Sequence, residues 1–231
     1  MALPAFDIQT HGVAVLTGDI VASRKLLNET RQKLPEALQS VAEQMTGSFP
    51  DYLPYSLDFF RGDSWQWLVV PPGKSLCMAI FMRSLLLNAV RKEVLDTRIA
   101  IAIGDIKSIP GDDLARGDGE AFRISGELLD RFGRGDRLRV SFAAPFEKMD
   151  GEALDMVARL IDFQMCQWTK KQAHAIAGAI LGYTQQESAR HWFIPSISQQ
   201  AVAQHLERAG WSTIEAAIDF FERTVRSYLL G

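Results

Sequence analysis

Between Val13 and Phe142 short β-rich runs alternate with helical periodicities, and beyond about Asp150 the strand signal disappears. That switch constrains the fold more tightly than any single motif, because strands and helices need apolar residues at different spacings. Val13-Ala-Val-Leu16 is branched and apolar and ends at Thr17-Gly18-Asp19. Ser23 then stands where it can cap a helix carrying Leu26, Leu27, Leu34, Leu38 and Val41. Tyr55–Phe60 and Trp65–Val70 flank Arg61-Gly62-Asp63-Ser64, a hairpin pattern with one carboxylate at its tip. The spacing predicts an apolar helix over Ser75–Val94, a strand over Thr97–Ile103, a Gly/Asp-rich loop over Pro110–Gly119, a helix over Glu120–Arg131 and a strand over Leu138–Phe142. The order β-α-β-β-α-β predicts an α+β, ferredoxin-like sandwich: an antiparallel sheet with helices on one face, its first strand central and paired with the hairpin.

Every later segment reads as helix, and Pro145 and Gly151 punctuate the change. Two domains are therefore expected, residues 1–145 and residues 146–231. At 47% hydrophobic and 23% charged, the 231 residues suit a globular chain and exclude fibrous or wholly disordered classes. The net charge is −3, and residues 151–231 carry eight acidic against seven basic side chains, so neither half is basic. Binding to nucleic acid or anionic lipid would need a local patch. Cys77 and Cys166 lie in apolar helical stretches, which suits buried thiols in a reducing compartment. The start lacks a basic and apolar leader, and the run Leu76–Leu87 is broken by Arg83, which points to a cytoplasmic protein without a membrane partner. None of the four histidines forms an i,i+4 ligand pair, and none reads as catalytic. Trp65, Trp67, Phe59 and Phe60 alternate along strands and read as core or interface.

Asp19 and Asp63 are the leading candidates for chemistry. One ends the first strand and the other sits in the hairpin beside it, so their carboxylates can converge on a shared cation. Mg²⁺ takes one or two such carboxylates and leaves the rest of its shell to water and phosphate. Asp19-Ile-Val-Ala-Ser-Arg24 also runs a strand directly into a helix, whose open N-terminus would favour an anion near Ser23 and Arg24. Arg61 flanks Asp63 and is a further candidate phosphate contact. Taken singly, each aspartate also fits a plain turn or capping role.

Thr17-Gly-Asp-Ile-Val-Ala-Ser-Arg24, Phe60-Arg-Gly-Asp-Ser-Trp65, Arg98-Ile-Ala-Ile-Ala-Ile-Gly-Asp105 and Gly117-Asp-Gly-Glu-Ala-Phe122, in that order, resemble the SatD family of bacterial proteins. SatD-like proteins in turn resemble a branch of the class III nucleotidyl cyclase fold. The resemblance implies a ferredoxin-like domain binding a nucleoside triphosphate and Mg²⁺, with Asp19 and Asp63 as metal ligands and Ile20 supplying a backbone carbonyl. Active cyclases carry an asparagine and, four residues on, an arginine after the Gly-rich loop. Here those places hold Arg123 and Glu127. A glutamate where negative charge develops opposes cyclisation, while Arg123 stays a candidate nucleotide contact.

In the tail, Thr169 and Gly182 bracket one helix, Thr184 begins another, and Ser198 to Ala209 forms a third that Gly210 ends. The order resembles a helix-turn-helix of bacterial regulators, a module with which SatD-like proteins often end. Ala189 would be the small residue of the first helix. The second would offer Gln199, Gln200, Gln204 and Arg208 to DNA, glutamine being able to read adenine edges. The stretch between them is longer than the common motif, and the alternative is a helical hairpin for packing or dimerisation. The expected function is a cytoplasmic, homodimeric regulator coupling nucleotide to DNA. The alternatives are a divergent metal-dependent nucleotidyl cyclase or transferase, and a structural adaptor.

Overall fold

A computed structural model describes residues 12–60, 62–133, 135–142, 151–192 and 196–230. The chain runs β1 (Val13–Ile20), α1 (Asn28–Gln32), α2 (Leu34–Ser48), β2 (Asp58–Phe60), β3 (Ser64–Val69), α3 (Ser75–Ala89), β4 (Thr97–Gly104), α4 (Glu120–Asp130) and β5 (Leu138–Phe142). Five strands form one sheet in the order β2-β3-β1-β4-β5. β1 is antiparallel to both β3 and β4, and β2 is antiparallel to β3. β5 joins β4 in parallel after the α4 crossover, so the sheet is mixed rather than wholly antiparallel.

The first strand is central because it is apolar on both sides. Val13, Ala14, Val15 and Leu16 are all fully buried, so both faces are covered, not one. On one face Thr17 reaches α4: Ser125 Oγ donates to the Phe122 carbonyl, which leaves the Thr17 hydroxyl to donate to Ser125 at 2.7 Å. On the other face Gly18 has no room for a side chain, because a Cβ there would lie 2.3 Å from the Trp65 ring and 2.4 Å from the Arg98 carbonyl oxygen. Trp65 is held in that position by Nε1 donating to Thr97 Oγ1 at 3.0 Å.

The helix expected from Ser23 is broken. Ser23–Lys25 is a 3₁₀ turn, Ser23 caps nothing with its side chain, and separate α1 and α2 follow. Pro35 stands in the first turn of α2, where its missing N–H and its restriction on the preceding residue favour a helix start over continuation. Leu34, Leu38 and Val41 do line the buried face of α2, whereas Leu27 is exposed.

Beyond β5 the described elements are α5 (Gly151–Met165), α6 (Lys170–Ile180), α7 (Gln185–Arg190), α8 (Gln199–Ala209) and α9 (Trp211–Leu230). Thr169 and Thr184 begin α6 and α7 with reciprocal capping boxes, and Ser198 caps α8. One hydrophobic cluster runs from β1 and α3 into α5, α6 and α9. A buried ion cluster crosses the same seam. Arg83 of α3 donates to Asp96 at 3.0 Å and to Asp162 of α5 at 2.6 Å, and the second Asp162 oxygen accepts from the Arg137 and Leu138 amides at 2.7 and 3.2 Å.

The two thiols are free, but only one is shielded. Burial pushes the Cys77 thiol up to about 12, while Cys166, just past α5, is exposed, contrary to the expectation of two buried cysteines. Among the described residues no helix is long and apolar enough to cross a membrane.

Candidate functional site

At the end of β1 the register sets Asp19 opposite Ser64 of β3 on one side and Arg98 of β4 on the other. The hairpin residue Asp63 is thereby brought next to the end of β1, and its carbonyl accepts the Ile20 amide at 3.0 Å. The chain leaves the strand through Ala22 at φ 53, a left-handed conformation that costs an alanine roughly 1 kcal/mol or more. That bend brings Ser23 back to the hairpin, where its hydroxyl donates to Asp63 Oδ2 at 2.5 Å.

Asp19 itself is engaged by Arg98. The guanidinium takes both carboxylate oxygens, with Nε to Oδ1 at 2.7 Å and a second bond to Oδ2. The Asp19 hydrogen bond, together with the charges of Asp19, Asp63 and Asp130, holds the Arg98 guanidinium above its ordinary basicity. Thr97 completes the frame by donating to the Asp19 carbonyl at 2.8 Å.

The structure thus places Asp19, Ile20, Ser23 and Asp63 at one end of the sheet and adds Arg98, which sequence reasoning missed as a site residue. The available signal was a lone cation near the start of an otherwise apolar strand; its partner follows only once the β1–β4 register is known. The helix N-terminus expected beside the carboxylates is replaced by a three-residue 3₁₀ turn, which presents no such anion site. Arg24 on that turn is exposed, and Arg61 lies outside the described residues. Arg123 is exposed on α4 and spends its charge on Glu127 at 2.8 Å and Glu120 at 3.6 Å, with no bond to Asp19, Ser23 or Asp63.

For a divalent cation the donor set is small. Among the described residues no group of three or more His, Cys, Asp or Glu side chains converges. Asp19 already has a cationic partner in Arg98, whereas the Asp63 carboxylate is held by the Ser23 hydroxyl alone among the hydrogen bonds of the described residues. One or two carboxylates satisfy Mg²⁺ when phosphate and water supply the remaining oxygens.

The candidate DNA face lies at the other end of the chain. Gln199, Gln200, Gln204 and Arg208 are all exposed on α8, while Val202 and Ala209 are buried. Gln199 is within 3.5 Å of Gln185 on α7. Ala189 is half-buried against the small cluster of Ala175, Trp192 and Val202. The tightest approach is made by Ser188, whose hydroxyl lies 2.8 Å from where a Cβ on Gly178 would stand. Part of the α7–α8 connection, residues 193–195, lies outside the described residues. No protein-family model matches the chain, and a search of curated proteins finds no related sequence.

Proposed function

We propose that the chain is a SatD-like cytoplasmic regulator, built on a ferredoxin-like, cyclase-type domain that binds a nucleoside triphosphate with Mg²⁺ and a helical tail that reads DNA. The observation that carries this reading is the meeting of Asp19 and Asp63, from separate stretches of sequence, at one end of β1 beside Arg98. Asp63 and the Ile20 carbonyl are the first oxygens offered to the metal. Asp19 joins them when Arg98 transfers its donors to phosphate, for which a guanidinium's planar fork is suited. Ser23 fixes the orientation of Asp63. The strained Ala22 fits the same picture, since such conformations persist where the surrounding structure holds them for a purpose.

Binding is favoured over turnover by the Arg123–Glu127 pair, which places an acid where a cyclase or transferase needs a cation. For the tail, the support is the row of glutamines and Arg208 exposed on α8. A homodimer is favoured by the apolar stripe that Met156, Leu160 and Phe163 leave exposed along α5. Calorimetric titration with ATP and GTP, with and without Mg²⁺, tests the central claim. Mg²⁺-dependent heat that falls at least tenfold in affinity in Asp63→Ala is expected; silence in the wild type overturns the reading and leaves an adaptor. Product formation abolished by Asp63→Ala would move it to an enzyme.

A further inference from the structure

A groove of about 830 Å³ opens between α2 and the end of α3 on one side and α6 and α7 on the other, and neither Asp19 nor Asp63 lines it. Its volume suits a small-molecule site. Arg91, Lys170 and Lys171 line it together with the imidazoles of His174 and His191, and among the described residues no aspartate or glutamate does.

Several acids on the flanking elements are engaged elsewhere. Glu29 pairs with Lys33 and Lys92, Glu93 accepts from the Leu27 amide, Glu43 accepts from Gln39, and Glu187 is locked into the α7 capping box. Lys170 is also committed: its ammonium donates to the carbonyls of Val90, Arg91 and Glu93 past the end of α3. That leaves Arg91 and Lys171, both exposed and neither in an ion pair among the described residues. Lys171 stands in the first turn of α6, at the positive end of the helix dipole, where a cation is electrostatically misplaced unless an anion joins it. His191 is oriented as well. Its Nδ1 lies 2.9 Å from the Glu187 carbonyl, which can only accept, so Nδ1 carries the proton.

The floor between these side chains is apolar. Val41, Leu85, Ala177 and Leu181 line it, and the Tyr183 ring stacks on His191 with centroids 5.0 Å apart and planes 21° from parallel. Gly178 lets α7 approach α6 closely enough to shape the base.

We propose that this groove binds a small organic anion, an apolar ring system bearing a phosphate, sulfate or carboxylate, with Arg91 and Lys171 meeting the anionic group and the Tyr183–His191 stack meeting the ring. The site is independent of the nucleotide reading above. It is tested on the full chain with two fluorescent probes of one shape, 8-anilinonaphthalene-1-sulfonate and the uncharged N-phenyl-1-naphthylamine. Arg91→Glu with Lys171→Glu is expected to weaken the sulfonate at least tenfold and leave the neutral probe within about twofold. Ser40→Trp, an exposed α2 position on the groove wall, is expected to weaken both probes, and Asp63→Ala neither. Sulfonate binding unchanged by the charge reversals, equal loss of both probes in that variant, or indifference to Ser40→Trp overturns the proposal.

Discussion

Two arginine–aspartate assemblies lie two residues apart in the sequence, yet they do different work. Asp96 helps hold Arg83, and Arg98 holds Asp19. The side chains of Arg83 and Asp162 are 1% and 9% exposed, with Asp96 at 21% on the outer side, whereas Arg98 and Asp19 are 35% and 20% exposed at the open end of the sheet. The pair chemistry is the same; the solvent is not. A buried pair is costly to break because its survivor is stranded in low dielectric, while a half-exposed pair can exchange partners with water or ligand at little cost.

The largest expected effect is therefore at Arg83. Arg83→Ala leaves Asp96 and Asp162 facing an emptied site and should lower unfolding free energy by about 3–5 kcal/mol, read by urea denaturation. A loss below about 1 kcal/mol would erase the distinction between the two assemblies. Gly18→Ala comes next. A methyl forced against Trp65 and the Arg98 backbone should cost about 1–3 kcal/mol and distort the end of β1. Trp65 fluorescence should change with it.

Arg98→Ala is the counterpart to the first variant. Stability should fall by no more than about 1 kcal/mol, while Mg²⁺-nucleotide affinity, measured calorimetrically, falls at least tenfold. Large destabilisation with intact affinity would make Arg98 a second structural arginine. The smallest effect extends the same burial logic to the helical tail. Desolvation holds His174 below the ordinary histidine value, and desolvation with Lys171 and Arg208 does the same for His205. The unfolded chain takes up these protons near pH ~6.5 and the folded chain resists them. Stability is thus fully present above that value and declines as pH falls into the window below it. The urea midpoint should drop between about pH 7.5 and about pH 5.5, and His174→Gln should flatten part of the drop.

Sequence periodicity located the sheet well, because Val13–Leu16, Trp65–Val70 and Thr97–Ile103 carry branched or aromatic residues that fit little else. It read straight through Pro35, since Leu34, Leu38 and Val41 keep helical spacing on either side of the break. It also extended α3 past Ala89 to Val94, where the chain turns away to feed β4. Asp19 and Asp63 were legible as neighbours from topology alone. Arg98 was not, because a cross-strand partner depends on register, and a shift of one residue would turn it to the opposite face. The Arg83 cluster was hidden for a related reason: its three members come from α3, the approach to β4 and α5, and only the closed chain brings them together.

Asp162 has one further consequence. A single carboxylate serves as the counter-ion of an interior guanidinium and as the acceptor for two amides at the start of β5. Peeling the last eighty or so residues off the sheet would uncover all three partners simultaneously, so the two halves of the chain are expected to unfold together. Heating should yield one calorimetric peak whose van't Hoff and measured enthalpies agree.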